Sequence, residues 1–192
     1  MDAEKSDELF KQVNTLRDSF YEDNKKNTIF KSEQKNKLAD KVCDAFDLHQ
    51  MIRYTTYIIP DSNKIYFSYP LFKTYGNTEN CDTLCKYMKH VLISSILELQ
   101  ETFELHINLK GFTVSACQRF FSAIKSLIDG NKILAEKMTQ MCIYFTPSVI
   151  DQIKSLLYVV VQHILPKVTF YSTTESEYEI NRLHNLEIDI KK

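Results

Sequence analysis

The run FELHINLKGFTVSACQRFFSAIKSLID, residues 103–129, constrains the fold more than any other part of the chain. Phe103, Leu105, Ile107 and Leu109 are apolar at every second position, the period of a half-buried strand. Past Lys110 and Gly111 the period becomes helical. Val114, Cys117, Phe120, Phe121, Ile124, Leu127 and Ile128 then fall on one face, with Gly130 placed to close the helix as its C′ residue. A helix with one apolar face must bury it, and a strand that feeds such a helix asks for a parallel neighbour beyond it.

The neighbours follow in order. KILAEKMTQ (132–140) reads as a short helix. MCIYF (141–145) is a continuous apolar run, as expected of a parallel strand covered on both faces. TPSVIDQIKSLLYVVVQHIL (146–165) carries a helical stripe of Val149, Ile153, Leu156, Leu157, Val160, Val161 and Ile164. Thr146 stands as its cap and Pro147 at its first position. Over Val149–Leu165 such a helix would be about 26 Å long at 1.5 Å per residue. Ile150, Tyr158, Val159 and Leu165 lie off that stripe, so the helix is either deeply buried or apolar on two sides. KVTFYS (167–172) is a last strand, and a polar tail with weak helical spacing ends the chain.

Upstream, RYTTYIIPDSNKIYFSYP (53–70) reads as a β-hairpin around PDSN, LFKTYGNTEN (71–80) as a loop, and CDTLCKYMKHVLISSILELQ (81–100) as one amphipathic helix. The order from the hairpin onward is β-β-α-β-α-α-β-α-β. It predicts an α/β fold with a mixed, mostly parallel sheet flanked by helices. Residues 1–52 form a helical segment ahead of an α/β domain at 53–192. Leu9, Val13, Leu16 and Phe20 define one helix, with Ser6 as its cap. Leu38, Val42, Phe46 and either Gln50 or Met51 define a second over 37–52, and the polar stretch 24–36 reads as a loop or as the start of that second helix.

Composition narrows the function. Twenty-four basic against 25 acidic side chains, net charge −1, argue against a nucleic-acid partner. No apolar run approaches the ~20 residues of a membrane span. The acidic, polar start MDAEKSDELFKQ is not a secretory signal. Five cysteines, an odd number, suit a reducing cytoplasmic setting. The three glycines are dispersed, so no Walker or dinucleotide loop is present, and there is no GxSxG elbow. Cys81 and Cys85, at i and i+4, are two thiols without matching ligands, so no metal is expected. His106 has no nucleophile beside it in sequence and reads as a half-buried strand histidine. No convergent catalytic set emerges, and the chain is expected not to be an enzyme and to need no cofactor.

From about Ile65 to Tyr171 the chain resembles the CRAL-TRIO, or Sec14-like, lipid-binding domain. FELHINLKGFTVS is similar to that family's central strand and glycine turn, with Asn108 where the family has Asp. MCIYFTPSVID is similar to the strand ending in its Asn-Ala-Pro turn, with Phe145-Thr146 before Pro147. LLYVVVQHILPKVTFY is similar to its next helix, proline corner and final strand. The resemblance implies a hydrophobic cavity between the sheet and a gate helix at Val149–Leu165. The lining it implies is Phe67, Tyr69, Leu105, Ile107, Phe120, Phe121, Ile124, Tyr144, Ile150, Ile153, Leu157 and Val161. The implied partner is a lipid or other hydrophobic small molecule, with transient contact to a membrane surface and a peripheral location there. The alternative is a protein-interaction scaffold with a filled cavity: an adaptor, a regulatory protein or a viral structural protein with a protein partner.

Overall fold

The computed structural model describes residues 3–24, 31–129 and 136–184. Five strands form one mixed sheet: β1 (Thr56–Ile58), β2 (Lys64–Ser68), β3 (Phe103–Asn108), β4 (Met138–Tyr144) and β5 (Val168–Phe170). Their order in space is their order in the chain. β1 and β2 are the antiparallel hairpin, and β2 through β5 are parallel. Asp61 takes the left-handed conformation in the hairpin turn, φ 54°, which Asp tolerates better than most residues.

Alternation along the strands sorts two faces. Ile65, Phe67, Phe103, Leu105, Ile107, Met141, Ile143, Val168 and Phe170 join the large apolar core. Tyr66, Cys142 and Tyr144 point the other way, into a small cluster with Ile59 and Leu183. Phe103 pairs with Met138, but Glu104 pairs with Gln140, so Thr139 is an extra residue on β4. This bulge puts Met138 and Met141, three apart, on the same face.

The connecting helices lie on the large-core face. They are α4 (Tyr69–Tyr75), α5 (Thr78–Tyr87), α6 (Ser94–Leu99), α7 (Val114–Arg119), α8 (Phe121–Asp129) and α9 (Ile150–Val161). Each parallel strand is added on the same side of the last, so crossovers of one hand bring every helix back to one face. The N-terminal helices α1 (Ala3–Asp23), α2 (Lys31–Ala45) and α3 (Leu48–Thr55) join the same core through Leu9, Val13, Phe20, Leu38, Val42, Met51 and Ile52. Only α10 (Thr173–His184), among the described helices, packs on the opposite face.

Several local expectations are corrected. α1 starts at Ala3, so Ser6 is inside it and is not its cap. α2 begins at Lys31, so of the two readings of the stretch 24–36 its second half takes the helical one. The expected helix 37–52 breaks at Phe46 because Asp47 caps a new one, its carboxylate accepting from Gln50 N–H at 2.6 Å, and α3 runs on to Thr55. LFKTYG is helical, not a loop: Pro70 suits a first turn, and Leu71, Phe72 and Tyr75 bury its apolar side. Asn77 then caps α5, accepting from Asn80 N–H. The helix 81–100 is interrupted by a π segment, Met88–Ile93. The helix after Gly111 breaks at Phe120. α9 starts at Ile150 with no side-chain cap, so Thr146 and Pro147 precede it in a turn, and the helix ends at Val161. Gly130 and the first part of KILAEKMTQ lie outside the described residues, and Met138–Gln140 are strand. The polar tail is helical as far as His184, and the rest of it lies outside the described residues.

Adjacent threonines at the α3–β1 junction show opposite hydrogen-bond states. Thr55 Oγ1 donates to Met51 O at 2.9 Å and accepts from Tyr75 Oη at 2.7 Å. Thr56 Oγ1 is buried without a partner among the described residues. Thr56→Val should therefore stabilise the fold by about 1 kcal/mol, by removing an unsatisfied hydroxyl without changing shape. Thr55→Val should destabilise it by about 1–3 kcal/mol, because it orphans the Tyr75 hydroxyl. Urea midpoints, at unchanged m, read both signs.

Candidate functional site

The large-core face does not close completely. A cavity of about 220 Å³ lies between the sheet and the helices. Phe67, Leu105, Ile107, Met141, Ile143, Val168 and Phe170 form its floor. Tyr69 and Phe72 of α4, Cys81, Leu84, Cys85 and Met88 from α5 and the π segment, Phe120 at the end of α7, and Ile124, Leu127 and Ile128 of α8 form its walls. Ile150, Ile153, Leu157 and Val161 of α9 roof it.

Of the twelve residues named from sequence, the structure brings ten to this cavity: Phe67, Tyr69, Leu105, Ile107, Phe120, Ile124, Ile150, Ile153, Leu157 and Val161. Phe121 and Tyr144 do not line it. Phe121 follows the break at Phe120 and packs at the margin of the core. Tyr144 pairs across from Asn108, one position past the Ile107–Ile143 pair, so alternation sends it to the opposite face. Phe72 in the wall and Met141 and Ile143 in the floor are lining residues that the sequence list omitted. Alternation along MCIYF in register with Leu105 and Ile107 would have found the latter two, whereas Phe72 was hidden in a segment read as a loop.

The cavity is almost wholly apolar. Lys154 is its one side chain with a formal charge among the described residues. Its ammonium lies 3.3 Å from Asp151 and 4.4 Å from the centre of the Phe170 ring, so it stands at the rim with its stem along the wall. The paired thiols face the same space. The hydrogen bond to Cys85, followed by burial, pushes the Cys81 thiol up, and the same bond lowers Cys85. No group of three or more metal-ligating side chains surrounds them among the described residues.

α9 is apolar on two sides. Its inner side holds Ile153 and Val160 in the core, while Leu156, Tyr158 and Val159 are exposed, Val159 at 79 %. It is therefore not a deeply buried core helix. The turn leading into it includes Phe145, whose φ of 52° is uncommon for a bulky residue. Ser176 of α10 holds that turn by accepting from Phe145 N–H at 2.7 Å.

The opposite sheet face is polar and aromatic. His106 is 4 % exposed, more buried than expected. Its Nδ1 is 2.8 Å from Tyr144 Oη and its Nε2 is 3.1 Å from Glu104. A neutral ring satisfies both, with Nε2–H donating to the carboxylate and Nδ1 accepting from the phenol. Tyr144 stacks on Tyr171, and Tyr57 Oη meets His184 Nε2 of α10 at 2.7 Å. This is a docking surface for α10, and every one of these groups has a structural partner.

Comparison with protein-family models, with curated proteins and with solved structures returns no match for this chain.

Burial pushes the His106 imidazole below its ordinary range, against the opposing pull of Glu104. A depressed histidine binds fewer protons folded than unfolded, so its contribution is complete above the ordinary histidine value. It is lost as pH falls through the folded one. The urea midpoint should drop as pH falls below the ordinary histidine value, and His106→Gln should flatten that slope.

Proposed function

We propose that this chain is a non-enzymatic, CRAL-TRIO-like module that holds a hydrophobic ligand, a lipid, in the cavity beneath α9. The observation that carries the reading is the continuous apolar wall, built from four strands and at least four helical segments, with its single formal charge at the rim. An apolar void of 220 Å³ left by truncation would cost about 5 kcal/mol at ~24 cal/mol per Å³. A bound apolar group offsets such a penalty. The parallel strand order and the helix between β4 and the proline corner at Leu165–Lys167 support the family reading.

The volume sets the size of the ligand. Ordinary small-molecule pockets run from ~300 Å³ upward. At 220 Å³ this one falls below that range. It suits one acyl-type chain, and two chains require α9 to move. α9 is well placed to do so: no side chain caps it, and its outer face already presents Leu156, Tyr158 and Val159. That face would touch the membrane surface during exchange, with Lys154 beside it for an anionic headgroup. If the cavity takes no ligand, the same apolar face supports the scaffold reading.

Native mass spectrometry of protein purified without detergent should show an adduct of single-chain lipid mass. Leu105→Trp, which fills the cavity from the floor, should abolish the adduct and keep the cooperative unfolding transition. A clean mass for the native protein, with no uptake of a fluorescent fatty acid, overturns the lipid reading. Val159→Asp should slow transfer of that probe from liposomes while shifting stability by no more than about 0.5 kcal/mol, as for an exposed site. An unchanged transfer rate removes α9 as the membrane-facing element.

A further inference from the structure

A second pocket, about 210 Å³, lies on the far side of Tyr69 and Phe120, where α1, α2 and α4 meet the turn after β3. Its character is opposite to the first. Arg17 of α1, Lys35 of α2, Lys73 of α4 and Arg119 of α7 converge on it, and no carboxylate lines it among the described residues. Thr113 and Ser115 add hydroxyls to its edge, and their oxygens are 3.2 Å apart.

The four cations are not equally occupied. Arg119 donates to Gly76 O at 2.9 Å and to Asn36 Oδ1 at 2.5 Å, so part of its role is to fasten helices. Arg17 is paired with Asp18 at 2.9 Å. Lys73 has no hydrogen-bond or ion-pair partner among the described residues. Burial first, then the charges of Arg17 and Lys35, work against its ammonium. Its Nζ lies 3.2 Å from where a Cβ on Gly111 would stand, and Gly111 has φ 77°. The glycine turn after β3 thus admits the lysine into the pocket as well as reversing the chain.

Like charges gathered in a cleft, of which only Arg17 has a carboxylate partner, are a cost to the fold that an anion removes. We infer that this pocket binds a phosphate-bearing anion, either the headgroup of a lipid or a free phosphate ester. A phosphomonoester carries about −1.5 to −2 charge and three acceptor oxygens, which match an ammonium, guanidinium forks and hydroxyls around one point. A single carboxylate would leave most of the positive charge unanswered. The site needs neither the apolar cavity nor its ligand, so the inference stands apart from the lipid reading.

Thermal unfolding tests it with pyrophosphate as probe, against sodium chloride at matched ionic strength. The native protein should gain about 3–6 °C at tenfold excess over Kd, saturably. Lys73→Met should have two opposite effects: the ligand-free protein melts at the same temperature or higher, and the pyrophosphate shift is lost. Lys35→Gln, at an exposed position, should weaken the shift, whereas Lys86→Gln, away from the pocket, should keep it. Flotation with phosphatidylcholine vesicles, with and without phosphatidic acid, separates the sources. Lys73-dependent flotation assigns the phosphate to a lipid headgroup, and a pyrophosphate shift without flotation assigns it to a free ester. An equal shift in native protein and Lys73→Met overturns the inference. So does the absence of both a shift beyond chloride and Lys73-dependent flotation. Leu105→Trp should leave the pyrophosphate shift intact, so failure of the lipid reading remains distinct.

Discussion

The register of β3 between β2 and β4 is the constraint on which the rest of the molecule depends. It sets Leu105 beside Ile65 and Met141, and Ile107 beside Phe67 and Ile143. A slip of one residue would turn Glu104 and His106 into the cavity floor and Leu105 and Ile107 onto the polar face. The first buries polar groups without partners and the second removes the His106 partner of the Tyr144 hydroxyl, so the register is strongly specified. The bulge at Thr139 preserves it, because without the extra residue Met138 would leave the core that the rest of β4 builds. Thr139 Oγ1 bonds back to Phe103 O at 3.1 Å and holds the irregularity in place.

That register makes the two faces unequal. The connecting helices converge on one side, where large rings, Tyr69, Phe72 and Phe120, stand around the edge of the floor. Together with α9 these rings enclose the cavity. The other face receives one described helix, held by specific polar contacts such as Tyr57 with His184 and Ser176 with the Phe145 turn. The same α10 thereby fixes the turn that launches α9. A contact on the polar face thus reaches the turn that leads into the helix roofing the apolar one.

The strands and the long helices were legible because period survives in sequence. FELHINL alternates, and its β-strand spans Phe103–Asn108. The local misreadings share a cause. Tyr69–Tyr75 is a two-turn helix, too short for its period to emerge beside a glycine and a polar NTEN. Asp47 ends one helix and starts another through a single hydrogen bond. The segment KILAEKMTQ has a helical period, but its last residues pair with β3, and tertiary pairing outweighs local preference. Ten cavity residues were legible because the floor and roof follow simple periods. Tyr144 was misplaced when alternation was not carried through MCIYF from Ile143. The basic pocket was not legible at all: Arg17, Lys35, Lys73 and Arg119 are scattered over a hundred residues, and only the fold brings them together.

The two pockets share a partition. Tyr69 and Phe120 line both, so the wall between an apolar space and a cationic one is a pair of rings. Tyr69 suits such a place, since burial raises its phenol to about 12 and the Arg119 charge pulls only partly against that. It stays a neutral donor beside the cations at any physiological pH. Arg119 lies 5.1 Å from the centre of the Phe120 ring, which ties the cation to the apolar wall from the other side. The corner of Lys110 and Gly111 then has a use beyond reversing the chain. It ends the central strand where the cavity floor ends and gives Lys73 its place on the far side of the wall.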